Sequence, residues 1–346
     1  MIKFNKVEGA AELHSPLKNF ELDSQPIEYR EDPLTGLTSV IRSGREFWGG
    51  LYATDEKLLA ELAETTRARC FFCPDKVTTT TPRFTTDLFP EGRVNLGDAW
   101  LFPNLFAQKE YSAIAVLTTE HYLPLDRFDP DVLLRSFKLA ATYIRRVHEV
   151  KGVRYAEVGG NYLYPGGASI MHPHIQIMCS NGAYYLLKIA LEKGKEHYER
   201  YSLNFWEELM ETEKKLGERY LGAIGDTEWF TPYAAIREDE VNAVVRGKSN
   251  FLEFDDDTWR SLAEGLSLVL KGYAEEKLSC FNWAVYSGPL GEKLDYFWAG
   301  LKIVSRPSVQ PYPVSDLWYS CNILLDGFVT RPPEAVAASL RKYFWP

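Results

Sequence analysis

The spacing of hydrophobic residues changes several times along the chain, and each change marks an element. Behind an Asp129-Pro130 start, Leu133, Phe137, Ala140, Ile144 and Val147 recur at steps of four and three, which predicts an amphipathic helix over about 130–149. Upstream, residues from about 36 to 125 read as short strands and turns. Thr38 to Ile41, Ala99 to Phe102 and Ser112 to Leu117 are β-branched, apolar or aromatic runs bounded by Gly, Pro and Asp. Downstream, two strand-like segments, Arg154 to Val158 and His174 to Met178, flank the turn-rich Tyr164-Pro165-Gly166-Gly167. A stretch dense in Glu, Lys and Leu predicts one long helix from beyond Gly182 to about Leu221. Strands follow near 228–236, 240–246, 280–286 and 296–304, with helices near 256–277 and 334–344. Strands and helices are segregated rather than strictly alternating, which reads as α+β with antiparallel sheet. A soft boundary near residue 182 divides the chain into comparable parts, 1–181 and 182–346.

Composition narrows the class. With 346 residues, 45% hydrophobic and 25% charged, the chain is neither disordered, collagenous nor a coiled coil. Thirty-nine Lys and Arg against 48 Asp and Glu leave a net charge of -9, a field that repels nucleic acid and acidic membranes while leaving room for a small anion in a locally positive pocket. No run of about 18 apolar residues occurs, and the N-terminus has no apolar core of the signal-peptide kind, so a cytoplasmic protein is expected. Five cysteines, an odd number, do not make a disulfide framework.

Candidate chemistry concentrates between Gly159 and Gln176. If residues 172–178 are extended, His172, His174 and Gln176 line one face while Ile175 and Ile177 point to the other. Pro173 cannot donate to a ladder, which places this wall at a strand end or sheet edge. The upstream Gly pairs would let backbone amides approach an anion, and Ser169 adds a donor; together they suggest a phosphate site beside an imidazole. The local pattern equally fits a Gly-rich turn before an ordinary strand. Cys70-Phe71-Phe72-Cys73 fits half of a tetrahedral zinc site, with His121 and His172 as candidates for the other ligands, and it also fits a redox pair or two buried thiols.

The H-P-H-x-Q run resembles the active-site signature of the galactose-1-phosphate uridylyltransferase-like family of the histidine triad (HIT) superfamily. Further segments agree in chain order, over roughly residues 32–180. The resemblance implies an α+β, duplicated HIT-like fold, with a broad antiparallel sheet (half-barrel) and flanking helices. Residues 1–181 would form a half with the zinc site and nucleotidyl-transfer motif, and 182–346 a second half with the acceptor side and dimer contacts. It implies a nucleotidyltransferase that moves a nucleoside monophosphate from a nucleotide sugar to a phosphorylated acceptor, with His174 as nucleophile and Gln176 and Ser169 as donors to the phosphate. Asp32-Pro33-Leu34-Thr35-Gly36 with Arg42-Ser43-Gly44-Arg45 looks like the family's N-terminal motif, so Arg42 and Arg45 would lie near the phosphates. Asn161 and Gly167 match phosphate-binding positions, Asn104 a ribose contact, and Phe72 and Phe102 would flank the base. Cys70, Cys73, His121 and His172 match the ligands of a structural Zn2+, and a homodimer is implied.

The departures bear on specificity. Where hexose transferases carry a C-terminal histidine cluster, this chain reads Trp283-Ala284-Val285-Tyr286 and Trp298-Ala299-Gly300-Leu301, so a second metal site is not expected. The hexose-contacting Glu and Gln are not evident around Leu325-Asp326-Gly327, and Leu105 replaces a ribose-assisting Asp, so galactose 1-phosphate is expected to be a poor acceptor. A nucleotide-sugar or dinucleoside polyphosphate phosphorylase shares the covalent step, and a catalytically silent nucleotide-binding protein is the alternative of another class.

Overall fold

Strand pairing organises the chain. The computed structural model describes residues 2–43, 52–312 and 314–345. In chain order the first half contains β1 (Lys6–Ser15), β2 (Glu21–Glu31), β3 (Thr38–Ile41), α1 (Glu56–Arg67), α2 (Val77–Thr80), β4 (Val94–Leu96), β5 (Ala99–Pro103), β6 (Tyr111–Val116), α3 (Pro130–Lys151), β7 (Tyr155–Tyr162) and β8 (His174–Ser180). Then come α4 (Tyr185–Tyr201), α5 (Phe205–Leu216), β9 (Tyr220–Ile224), β10 (Thr227–Phe230), β11 (Val241–Val245), α6 (Asp256–Glu275), β12 (Cys280–Tyr286), β13 (Gly300–Arg306), α7 (Tyr319–Ile323), β14 (Gly327–Val329) and α8 (Pro333–Phe344). The α+β reading with a broad antiparallel sheet holds.

Ten strands form one sheet in the order β4-β5-β6-β8-β7-β12-β13-β11-β10-β9. Read outward from the β7–β12 seam, both sides follow the same plan, with a long helix, α3 or α6, inserted after the third strand from the seam. These two helices pack on each other across one face of the sheet, and a single hydrophobic core of α3, α6 and α8 against the strands spans both halves. The boundary near residue 182 therefore separates halves of one packed body. A second, four-stranded sheet, β1-β2-β3-β14, joins the two ends of the chain, with β14 parallel to β3.

Helix α3 forms where the pattern predicts, because the Asp129 side chain accepts the Val132 N–H (3.1 Å) and nine of its residues are buried. The expected single helix to Leu221 is instead two helices and a strand. Ser202 takes a left-handed conformation (φ 53°), Asn204 caps α5 by accepting from Trp206 (2.9 Å), and Gly217 ends it. The break lets Phe205 and Trp206 turn inward against Phe297. Helix α1, capped by Asp55, and the β1–β2 hairpin fall in stretches whose hydrophobic pattern predicts neither.

The packing of α6 on β10 leaves no room for a side chain at Gly265, where a Cβ would run into the indole of the fully buried Trp229. Alanine in place of helical glycine ordinarily stabilises by roughly 0.5–1 kcal/mol. Here Gly265→Ala is expected to destabilise by about 1–3 kcal/mol, because overpacking outweighs propensity. A urea unfolding midpoint equal to or above that of the wild type would contradict this packing.

Candidate active site and metal centre

The two histidines of the H-P-H run are two residues apart and serve different surroundings. His172 precedes β8 and is fully buried, whereas His174, the first residue of β8, is half-buried. β8 pairs with β6 from Val116↔His174 onward, while its pairing with β7 stops at Gly159↔Gln176. Beyond that point β7 runs on to Tyr162 and the turn at Tyr164–Gly166, which opens the face on which His174 and Gln176 stand.

Around His172 the structure brings together Cys70, Cys73 and His121, all buried, with one ligand atom from each within 4.8 Å of the others. Cys73 Sγ lies 3.5 Å from His121 Nδ1 and 3.7 Å from His172 Nδ1, and Cys70 Sγ lies 3.7 Å from His172 Nδ1. A tetrahedral ion with bonds of about 2.3 Å to sulfur and about 2.0–2.1 Å to nitrogen separates N and S by roughly 3.6 Å, so these are the edges of such a site. The tautomers agree. His172 Nε2–H donates to the Thr118 carbonyl (2.8 Å), and His121 Nε2–H donates to Thr66 Oγ1 (2.8 Å), whose own proton goes to the Leu62 carbonyl. Both Nδ1 lone pairs therefore face the thiols, and outer partners fix the rings.

Burial, with Cys70 beside it, pushes the Cys73 thiol up to about 11, and burial pushes His172 down to about 4. Neutral imidazoles are the ligating form, and a cation is what would let two thiolates share this space. The Phe72 N–H pointing at Cys70 Sγ (3.4 Å) supports the thiolate further. The four residues fit a metal ion. Cys179, Cys280 and Cys321, also buried, are not in this cluster.

His174 Nδ1 lies 2.8 Å from the His172 carbonyl oxygen. A carbonyl only accepts, so the proton is on Nδ1 and Nε2 carries a free lone pair. Burial also holds the ring's pKa below the usual imidazole range, so the neutral form is the one present at pH 7. Gln176 and Asn161 share this face, and Asn161 Oδ1 accepts from Asn282 Nδ2 (2.7 Å). Ser169 is exposed, between the turn and His172.

Other expected groups are placed differently. Gly167 and Ala168 donate their N–H groups within their own turn, to Tyr164 and Leu163, so these two amides are not turned to an anion. Gly160 is required for packing, since a Cβ would collide with the Trp283 indole. Phe72 packs its edge on His174 (5.2 Å between centroids) but also touches the buried Phe102 (5.4 Å), so the two rings do not flank an open slot. Asn104 caps the loop after β5 by accepting from Phe106 (3.0 Å). Arg42 directly follows β3 of the smaller sheet, where it donates to Gln25 (2.6 Å), and Arg45 lies outside the described residues.

From Asn161 and Gln176 a cavity of about 480 Å³ continues along the sheet beneath α4 and α5. Its floor includes Glu157, Ala284, Asn242 and the Lys302–Glu240 ion pair (3.1 Å), and its roof Leu187, Trp206 and Leu209. Sequence reasoning did not find Glu157, although it alternates with Gly159 and Asn161 on one strand face. One of its carboxylate oxygens is buried without a partner, and burial pushes its carboxyl up to about 7 against the opposing effects of Tyr184 and Lys109.

The chain matches no protein-family model. Among solved structures it superposes on an ADP-glucose phosphorylase from Arabidopsis thaliana with bound ADP-glucose (TM-score 0.69, 17% identity, 91% of this chain and 98% of that one). It also superposes on a GalT-like protein from Arabidopsis thaliana (TM-score 0.67, 18% identity, 91% and 98%) and on a uridylyltransferase mutant (TM-score 0.67, 18% identity, 91% and 97%). The fold is thus the one shared with these GalT-like, ADP-glucose phosphorylase and uridylyltransferase structures. In sequence the chain is 30% identical over 325 residues to an uncharacterised protein of Archaeoglobus fulgidus, covering 93% of this chain and 94% of that one, and it belongs to that protein's family. Among the described residues no helix is long and apolar enough to cross a membrane.

Two outcomes follow from the site. Elemental analysis of the purified protein should find about one metal ion per chain. His172→Ala should lose it and lower Tm by roughly 3–6 °C, the shift for a loss of about 2–4 kcal/mol in a chain of this size, while His174→Ala keeps the ion; metal-free wild type would refute the centre. For Glu157, a carboxyl raised in the fold stabilises fully below its ordinary value of 4.5, and that contribution is lost as pH rises through about 7. Glu157→Gln should therefore raise Tm relative to wild type at pH 8 and change it little at pH 5, and equal effects at both pH values would place the charge outside the buried floor.

Proposed function

We propose that this protein is a nucleotidyltransferase that moves a nucleoside monophosphate from a nucleotide sugar to a phosphorylated acceptor through a covalent nucleotidyl-His174. The observation that carries the reading is His174 itself: Nδ1–H donated to the His172 carbonyl at 2.8 Å, and Nε2 bare on the face shared with Gln176 and Asn161. In the first step the Nε2 lone pair attacks the α-phosphorus; a P–N bond forms, the P–O bond to the sugar phosphate breaks, and the departing oxygen takes the electron pair. In the second step a phosphate oxygen of the acceptor forms the new P–O bond and returns the pair to Nε2. The proton stays on Nδ1, donated to the His172 carbonyl, which stabilises the imidazolium character that builds as the P–N bond forms. Gln176, Ser169 and Asn161 donate to the non-bridging oxygens, where charge develops. Phe72, beside His174, and Asn104 mark the nucleoside side, and the cavity beyond Asn161 the other end of the donor.

Two thiolates and two imidazoles suit zinc, which Cys70, Cys73, His121 and His172 would hold as a structural ion that braces the start of β8. The chain would work as a homodimer. The β1–β2 hairpin supports this, because past the Glu28–Glu31 pairing with β3 it runs on as a two-stranded ribbon, which is marginal alone and here exposes Leu17, Phe20 and Leu22.

The test is intact-mass spectrometry after brief incubation with UDP-glucose or ADP-glucose and no acceptor, quenched at neutral to alkaline pH because phosphoramidates are acid-labile. A gain of one nucleoside monophosphate is expected in the wild type and none in His174→Ala. Discharge of the adduct by sugar 1-phosphates or by inorganic phosphate then separates a transferase from a phosphorylase, with galactose 1-phosphate slow in either case. An adduct that persists in His174→Ala would move the nucleophile elsewhere.

A further inference from the structure

The amide of Asn161 is oriented from the other half of the chain. The hydrogen bonds that do this admit only one assignment. Arg306, on β13, donates to both oxygens of Asp316 (3.1, 3.1 and 2.7 Å), and the pair is largely buried, with side-chain exposures of 12% and 4%. The remaining arm of Arg306, NH1, reaches Asn282 Oδ1 at 2.6 Å, and a guanidinium has no acceptor to offer. Asn282 must therefore turn its oxygen to Arg306 and its NH2 the other way. There it meets the carbonyl of Gly166 (2.6 Å), which can only accept, and Asn161 Oδ1 (2.7 Å). Both ends of Asn282 are fixed by partners that leave no choice. Asn161 in turn has its oxygen committed to Asn282, and its NH2 is the end left for the cavity face it shares with Gln176.

The geometry also explains why this works across the seam. Asn282 and Asn161 are direct register partners on β12 and β7, and Asn282 stands opposite Val304 on β13, two residues before Arg306. One side chain thus ties the strand that carries Asn161 to the turn at Tyr164–Gly166. We propose that Asn282, Arg306 and Asp316 are positioning residues for nucleotidyl transfer, holding the Asn161 amide with its N–H groups toward the incoming phosphate and fixing the adjoining turn. This rests on the nucleotidyl-transfer reading above. It gives the second half of the chain a part in the chemistry of the first, without a charge placed on the phosphate: Arg306 is neutralised by Asp316 and acts through a neutral amide.

Asn282→Asp tests it. The variant keeps size and the acceptor for Arg306 but presents a second oxygen to Gly166 and Asn161, so that Asn161 turns its NH2 to the new carboxylate and its oxygen to the phosphate. The rate of adduct formation at saturating donor, using whichever of UDP-glucose and ADP-glucose labels the wild type, should fall about 100- to 1,000-fold, the range of a lost oxyanion donor. KM for the donor should change less than kcat. Asn161→Ala should show a similar loss, and the double variant Asn161→Ala/Asn282→Asp should lose no more than Asn161→Ala alone, because Asn282 acts through Asn161. A role in folding alone would give additive losses and a lowered Tm without the kcat-specific effect. A rate within twofold of the wild type in Asn282→Asp, or additivity in the double variant, overturns the inference. A wild type that forms no adduct with either donor overturns the functional reading, and this inference with it.

Discussion

The site depends on one carbonyl group, that of His172. Its side chain is held among two thiols and a second imidazole, and its Nε2–H is held by Thr118, so the peptide that follows has a fixed direction. That direction brings the carbonyl oxygen to 2.8 Å from His174 Nδ1 and fixes which nitrogen of His174 is bare. Pro173 helps by removing an N–H that would otherwise compete, while its own carbonyl accepts from Leu117. A buried cluster thus sets the tautomer of a half-buried imidazole two residues away.

Alternation along the strands explains how one sheet serves both packing and chemistry. On β7, Ala156, Val158, Gly160 and Tyr162 face the core shared by α3 and α6, while Glu157, Gly159 and Asn161 face the cavity. On β12, Phe281, Trp283 and Val285 take the core side and Asn282, Ala284 and Tyr286 the other. Gly160 and Trp283 show the cost of error on the core face, where a single added carbon would displace an indole. On the opposite face small residues leave space: Gly159 and Ala284 are register partners, and the cavity lies over them.

What the sequence disclosed followed from local periodicity and spacing. Helix α3 was legible because cap, proline and apolar stripe all agree, and the metal cluster because C-x-x-C and H-P-H are compact signals. The break between α4 and α5 was not, since Glu, Lys and Leu suit a helix throughout and only the left-handed Ser202 and the Asn204 cap stop it. The β1–β2 hairpin carries no burial alternation to read, as most of its residues are exposed. The Gly-Gly pairs suggested an anion cradle, yet Gly160 makes room for Trp283 and Gly167 spends its N–H in its own turn. Asn282 was hidden for a different reason: its importance comes from register with a strand about 120 residues earlier, which no local pattern encodes.

The second half, though it lacks the histidines of the first, is not a passive remnant of a repeated plan. β13 stands where β8 does when the sheet is read outward from the seam, and it offers Lys302, Val304 and Arg306 on the face where β8 offers His174, Gln176 and Met178. Lys302 is held by Glu240, where burial works against its charge but the carboxylate, with Tyr286 and Asp32, more than offsets that and raises its pKa. Arg306 is likewise held by Asp316. Each cation of β13 thus arrives already paired, so neither adds net positive charge to that face. Paired in this way, β13 contributes orientation rather than charge, and the donors proposed to face a phosphate are a hydroxyl and two amides, dipoles that would favour developing charge without retaining a full anion as tightly as a free guanidinium would.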